Sequence, residues 1–148
     1  MAIDRKQFTC GIFLDFSKAF DTVNCDTVNH DILLIKLQAY GIRGQTLEWF
    51  ASYLDGRSQY VKIDNTFSNK KTIKCGVPQG STLGPLLFLL YINDLPNSSK
   101  LLSFRIFADD TNIFLSADNK VDLEKNVSHE FKLVLEYCTL NKLSVNFN

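Results

Sequence analysis

Short apolar runs that stop at aspartate constrain this chain more than any other feature. Thr9-Cys10-Gly11-Ile12-Phe13-Leu14 ends at Asp15, and residues 104–107 are parted from residues 112–115 by Ala108-Asp109-Asp110-Thr111. Runs this short, bounded by polar residues, read as strands. The first is almost continuously apolar and predicts a central strand covered on both faces. The other two predict a β-hairpin presenting both acids at its tip. A sheet that pairs these strands has to bring acids from distant parts of the chain to one place.

The rest of the chain supplies helices for that sheet. Ile32, Leu33, Leu37 and Tyr40 recur at helical spacing over residues 30–40, and Gly41 supplies the stop. Thr46 can cap a second helix carrying Leu47, Trp49, Phe50 and Leu54, closed by Asp55-Gly56, with Trp49, Phe50 and Tyr53 expected as helix core. Residues 59–64 and 71–75 predict a hairpin. Gly76-Val77-Pro78-Gln79-Gly80 is a glycine-hinged loop before a helix over residues 82–93, with Pro85 in its first turn. That helix is apolar all round, which predicts full burial. Leu123, Val127, Phe131, Val134, Leu135 and Cys138 stripe a long helix over residues 121–138, and residues 143–147 read as a last strand. The fold class is α/β (α+β), a mixed or antiparallel sheet with helices packed on one face. Asp21-Thr22-Val23-Asn24 recurs as Asp26-Thr27-Val28-Asn29 across Cys25. The copy is too short for a structural repeat and is expected to lengthen the loop before His30.

Composition sets limits. The 148 residues, 45% of them hydrophobic, suit one domain with a real core, and 22% charged residues exclude intrinsic disorder. The longest apolar stretch, residues 86–92, is far short of the ~20 needed to span a bilayer, so no membrane partner is expected. The first residues lack the apolar core of a signal peptide, which points to an intracellular protein. Cys10, Cys25, Cys75 and Cys138 fit no metal-ligand spacing and read as free, mostly buried thiols. His30 and His129 have no partner spacing and read as structural. Sixteen basic residues balance sixteen acids, a composition that argues against nucleic acid. The one clearly basic stretch is residues 57–74, where Lys62, Lys70, Lys71 and Lys74 read as a solvated face or a template contact.

Each chemical feature has an ordinary explanation by itself. An Asp after a strand caps or turns, an Asp-Asp at a hairpin tip is turn chemistry, and a Pro-Gln-Gly precedes many helices. Their combination says more. Asp15, Asp109 and Asp110 at neighbouring strand ends would repel one another, and burial would raise the cost of ionising them. Hard oxygen ligands of this kind favour Mg²⁺ or Mn²⁺. Two such ions ~3.5–4 Å apart are an apparatus for nucleotidyl transfer, so a polyphosphate substrate is inferred.

The wording of these segments resembles a known family. Leu14-Asp15-Phe16-Ser17-Lys18-Ala19-Phe20-Asp21-Thr22-Val23 resembles motif A (about 10–24) of reverse transcriptases from non-LTR, jockey-like retrotransposons. Gly76-Val77-Pro78-Gln79-Gly80-Ser81-Thr82-Leu83-Gly84-Pro85 and the following helix resemble motif B (about 76–95). Phe107-Ala108-Asp109-Asp110 resembles motif C (about 104–115), and Leu140-Asn141-Lys142-Leu143-Ser144-Val145-Asn146 the start of motif D (about 137–148). Order and spacing agree over nearly the whole chain.

The resemblance implies a single partial reverse transcriptase domain over residues 1–148, with the right-hand polymerase palm and without fingers and thumb. It implies that Asp15 and Asp109 ligate the metals, with Asp110 the accessory carboxylate, holding two Mg²⁺ or Mn²⁺ ions. Phe20 would be the steric gate against a ribose 2′-hydroxyl, though by itself it reads as a core aromatic. Gln79 and Gly80 would lie against the nascent base pair. The implied partners are an RNA template, a DNA primer and deoxynucleoside triphosphates, in nucleus or cytoplasm; oligomeric state is left open. Two departures accompany it. The family pattern lacks the five residues Cys25 to Asn29, and the segments that clamp triphosphate and primer have no candidate here, so the chain alone is expected not to polymerise DNA. The alternative is a non-catalytic degenerate or domesticated remnant that at most binds nucleic acid. A nucleotide cyclase would share the two-metal logic but gives no reason for Pro78-Gln79-Gly80.

Overall fold

The computed structural model of the chain describes residues 4–16, 28–77 and 80–146. It divides into two compact units, one of the described residues in Met1–Ser17 and Ile92–Asn148, the other of those in Lys18–Tyr91. Helices and antiparallel strands make up both.

The first unit is built on a three-stranded antiparallel sheet. Strand β1 (Phe8–Asp15) lies beside β7 (Asp110–Ala117), which lies beside β6 (Ser103–Phe107); between them in sequence are β2 to β5 of the second unit. Helix α4 (Lys120–Leu140) packs against β1 and β7. Asn119 starts it, its side chain accepting from the Asp122 N–H at 2.8 Å. The expected stripe faces inward, with Leu123, Val134 and Cys138 buried and Val127, Phe131 and Leu135 half-buried. Glu130 is buried in that stripe as well, where its carboxylate accepts from the Ser99 hydroxyl at 2.5 Å.

Contrary to expectation, β1 is neither central nor covered on both faces. It pairs with β7 alone among the described strands, and it alternates: Cys10, Ile12 and Leu14 turn inward, while Phe13 is 74% exposed. A continuous apolar run fixes the strand but not how many faces are covered. Outward Phe13 packs edge-on against Phe114, ring centroids 6.3 Å apart. The expected last strand shrinks to a bridge between Val145 and Phe16, and Phe147 lies outside the described residues.

In the second unit, α1 (His30–Ala39) packs on α2 (Gln45–Leu54). Asn29 caps α1 through its side chain, and Gly41, at φ 93°, ends it in a Schellman turn: Ile42 N–H reaches the Leu37 carbonyl and Gly41 N–H that of Gln38. Thr46 is not the cap of α2; that place belongs to Gly44, and Thr46 lies inside the first turn. Nor is Trp49 core. It is 53% exposed, stacked on Tyr53 at 5.5 Å, and the Arg57 guanidinium lies over the Tyr53 ring.

The expected hairpin of residues 59–64 and 71–75 proves to be two nested ladders. Strand β2 (Ser58–Gln59) pairs with β5 (Lys71–Thr72), and inside them β3 (Lys62–Ile63) pairs with β4 (Thr66–Phe67). Asp64, at φ 52°, turns the inner pair. Gln59 faces Lys71 and Lys62 faces Phe67, and between the two ladders the Ser68 N–H donates to the Val61 carbonyl at 2.9 Å. Helix α3 (Leu83–Ile92) buries Leu87, Phe88, Tyr91 and Ile92 but exposes Leu86 and Leu89, so it is one-sided rather than buried all round. The Ser81 hydroxyl accepts from the Gly84 N–H at 3.0 Å at its start. Tyr91 ties α3 to α1: its hydroxyl accepts from the Asn29 N–H, and its carbonyl accepts from Lys36 Nζ at 2.6 Å.

Cys10, Cys75 and Cys138 are free, the last two buried; Cys25 and most of the duplicated segment lie outside the described residues. No described helix is long and apolar enough to cross a membrane.

Candidate active site

Ladder register creates the site. Residues of β1 and β7 face one another from Phe8 opposite Ala117 through to Asp15 opposite Asp110. Directly opposed residues in an antiparallel pair have Cβ atoms ~4.5–5.5 Å apart on one face. Alternation puts inward Leu14 opposite Thr111, both buried, and so turns Asp15 and Asp110 to the other, outward face. Both are exposed.

The β6–β7 connection explains how Asp110 comes to be there. Phe107 pairs with Asp110, leaving only Ala108 and Asp109 in the turn. Asp110 is thus the first residue of β7, not part of the tip, and the expectation of two acids at the tip holds for Asp109 alone. Ala108 takes φ 52°, at the turn position where hairpins normally place glycine. A side chain held there stores roughly 1–2 kcal/mol of backbone strain. Asp109 is half-buried beside the pair.

Asn146 is the residue that sequence reasoning passed over. Its backbone N–H donates to the Asp15 carbonyl at 2.8 Å, and its side-chain amide donates to the Asp15 carboxylate at 3.2 Å. Its only signal in the sequence was its place in the segment resembling motif D. Among the described residues no basic side chain forms an ion pair with Asp15, Asp109 or Asp110. Two facing carboxylates make a hard-oxygen donor pair suited to a divalent ion. No group of three or more His, Cys, Asp or Glu side chains is drawn tightly enough together to hold a metal among the described residues. The structure pairs two acids and leaves Asp109 at the turn.

Of the remaining expected site residues, the structure describes Gly80, in the second unit. Phe20 and Gln79 lie outside the described residues. Gly80 has φ +75°, and an added Cβ would meet nothing within 4 Å, so the backbone conformation and not packing selects glycine there. His30 is structural as expected: its Nε2 donates to the Gly76 carbonyl at 2.8 Å, bracing the loop that leads to Gly80. A cleft of about 710 Å³ in this unit, lined by residues that include His30, Asp31, Asp55 and Lys74, contains none of the three aspartates.

Comparison with known proteins bears on the same segments. Residues 1–148 match the family described as reverse transcriptase (RNA-dependent DNA polymerase). A probable RNA-directed DNA polymerase from transposon BS of Drosophila melanogaster is 29% identical over 158 residues, which cover 98% of this chain and 16% of that protein. The RNA-directed DNA polymerase from mobile element jockey of the same species is 33% identical over 127 residues, covering 86% of this chain and 13% of that protein. A Pol polyprotein from the type-1 retrotransposable element R2 of Popillia japonica is 28% identical over 79% of the chain and 20% of its own length. The chain therefore spans a fifth or less of these relatives.

Proposed function

This chain belongs to the reverse transcriptase family, and from that membership we propose that it is the palm segment of an RNA-directed DNA polymerase of a jockey-like, non-LTR element. The reaction would add deoxynucleotides to a primer 3′-hydroxyl on an RNA template. One observation carries the reading: Asp15 and Asp110, from strands far apart in sequence, are cross-strand partners on the open face of the sheet.

Asp15 and Asp110, with Asp109 beside them, are the residues that would hold divalent ions. Bound there, two ions would activate the primer hydroxyl and offset the charge of the leaving pyrophosphate. The chain's own residues prepare that site. Asn146 fixes Asp15 from the backbone and the side chain together, and the two-residue turn keeps Asp109 next in the chain to Asp110. Pre-positioned carboxylates lose little freedom when a ligand arrives, which raises affinity. Phe20 is proposed as the steric gate, and Gln79 and Gly80 as the backing of the nascent pair.

The test replaces the matching segment of the jockey polymerase with this chain and follows primer extension on an RNA template with Mg²⁺. Template-dependent deoxynucleotide incorporation is expected, and Asp15→Asn or Asp110→Asn should abolish it. A folded chimera that binds template and primer yet incorporates nothing would overturn the reading.

A further inference from the structure

We propose that His30 is a positioning residue that sets how the chain enters the 76–80 loop and, through that loop, which nucleotide is accepted. The inference rests on the polymerase reading above, in which Gln79 and Gly80 back the nascent base pair. It starts from Gly76. That glycine takes φ 78°, in the left-handed region, and glycine has more backbone freedom to lose than any other residue. Both peptide groups that flank it are nonetheless held. Its N–H donates to the Val28 carbonyl at 2.7 Å, and its carbonyl accepts from His30 Nε2 at 2.8 Å. The first bond fixes the peptide that arrives at Gly76. The second, made by a side chain, fixes the peptide that leaves it for the loop.

The residues that do the holding are themselves fixed. Asn29 and Cys75 form an antiparallel bridge, Val28 and Cys75 are buried, and the Asn29 N–H donates to the Tyr91 hydroxyl of α3. The Asn29 side chain caps α1, whose first residue is His30. A helix start therefore carries the imidazole, and two side-chain torsions decide where Nε2 points.

Leverage turns this contact into a functional one. From Gly76 to Gly80 the chain can reach at most ~13–14 Å, so a turn of about 10° at Gly76 moves the far end by about 2 Å. Misplacing a group that positions substrate by ~1 Å can cost ~10²-fold in rate. A histidine that served folding alone would be felt in stability and in the amount of active enzyme, but not in the choice between nucleotides.

The test uses the chimera in which this chain replaces the matching segment of the jockey polymerase, and measures KM and kcat for a correct and a mismatched deoxynucleotide. His30→Leu keeps apolar bulk and removes the donor. It should raise KM for the correct nucleotide about tenfold and narrow the ratio of correct to mismatched incorporation, with KM for template and primer unchanged. His30→Gln carries its amide nitrogen as many bonds from Cβ as Nε2 and should restore most of the loss. His30→Asn reaches one bond less far, to where Nδ1 lies, and should behave like His30→Leu. In the isolated chain, amide exchange at Gly76 should quicken about tenfold or more in His30→Leu and return towards the parent rate in His30→Gln. Circular dichroism melts establish that the compared variants are folded. The proposal is overturned if His30→Leu lowers kcat alone and leaves KM and the mismatch ratio unmoved, if His30→Asn restores as well as His30→Gln, or if exchange at Gly76 does not change. A parent chimera that binds template and primer but incorporates nothing overturns the polymerase reading and this proposal with it, whereas a working parent with an unaltered His30→Leu variant overturns this proposal alone.

Discussion

Asn146 grips Asp15 at two points, backbone N–H to carbonyl at 2.8 Å and side-chain amide to carboxylate at 3.2 Å, while Asp110 faces Asp15 across the ladder. The exposed side-chain bond is worth about 0.5–1.5 kcal/mol. Asn146→Ala should therefore leave the fold intact, yet let Asp15 wander and weaken Mn²⁺ binding severalfold. Asp110→Asn should do the opposite to stability. It removes one of two like charges held face to face and so relieves their repulsion, and in metal-free, low-salt buffer it should gain about 0.2–1 kcal/mol while losing the Mn²⁺-induced rise in Tm. Thermal melts with and without Mn²⁺ check both. An Asp110→Asn chain still stabilised by Mn²⁺ like the parent would remove this pair as the metal site.

Ala108 is the strained residue next to that pair, at φ 52° in the two-residue turn between β6 and β7. Ala108→Gly removes the clash of Cβ with its own backbone but adds freedom to the unfolded chain. The first effect is the larger, so a net gain of up to about 1 kcal/mol is expected in urea denaturation. A loss of stability would mean that the alanine methyl makes contacts that outweigh the strain.

What the sequence made legible, and what it hid, follows physical lines. The α4 stripe and the β1 and β7 strands were readable because their periodicity is local. That Asp15 would meet an acid of the β6–β7 hairpin was readable because Asp15 and Asp109 both follow apolar runs, but the acid opposite Asp15 is Asp110 and not Asp109. Which acid it was depended on a turn of two residues instead of four, and Ala108 gives no hint of one, since hairpins of that length favour Gly or Asn. The inner ladder of β3 and β4 was missed for a related reason: Asp64-Asn65 lacks the glycine that usually advertises such a turn. Phe13 misled, since an apolar residue can face solvent without disturbing the pattern. Asn146 was invisible as a partner because nothing local ties it to Asp15. Charge segregation into residues 57–74 was visible in the sequence, but the exposure of Tyr60 and Phe67 was not.

Cys138 provides a pH-dependent prediction. Burial raises its pKa from 9.0 to about 11, because the thiolate loses its hydration there. The folded chain keeps this proton at pH values where the unfolded chain has released it. Its contribution to stability is thus complete below about pH 9 and is lost as pH rises from there through about 11. Lysines and tyrosines titrate in the same window, so the readout is a difference. The stability gap between parent and Cys138→Ala should narrow between pH 9 and about 11. Alkylation at pH 9 should reach half-buried Cys10 well before Cys138. Equal rates for the two thiols would contradict the burial.

Ser99 is where the first unit should be easiest to break without touching an apolar side chain. Its hydroxyl donates to the buried Glu130 carboxylate at 2.5 Å and accepts from the backbone N–H groups of Leu102, at 3.1 Å, and Leu101, at 3.2 Å. Ser99 and Glu130 are both buried, so water cannot replace the bonds that Ser99→Ala removes. The variant leaves a carboxylate without its donor inside the apolar stripe of α4, and two amides without their acceptor. Leaving one buried polar group unsatisfied costs about 1–3 kcal/mol, more when it is charged. Ser99→Ala should therefore lose about 2–4 kcal/mol, a large fraction of the stability of a domain this size. Adding Glu130→Gln or Glu130→Leu to Ser99→Ala should recover part of it, because a neutral or apolar side chain removes the orphaned charge. The two changes must then be strongly non-additive, as expected for members of one network. Denaturant titrations of the parent, both single variants and the double variant close this cycle. Additive losses would mean that Glu130 has another partner and that the Ser99 bond is incidental.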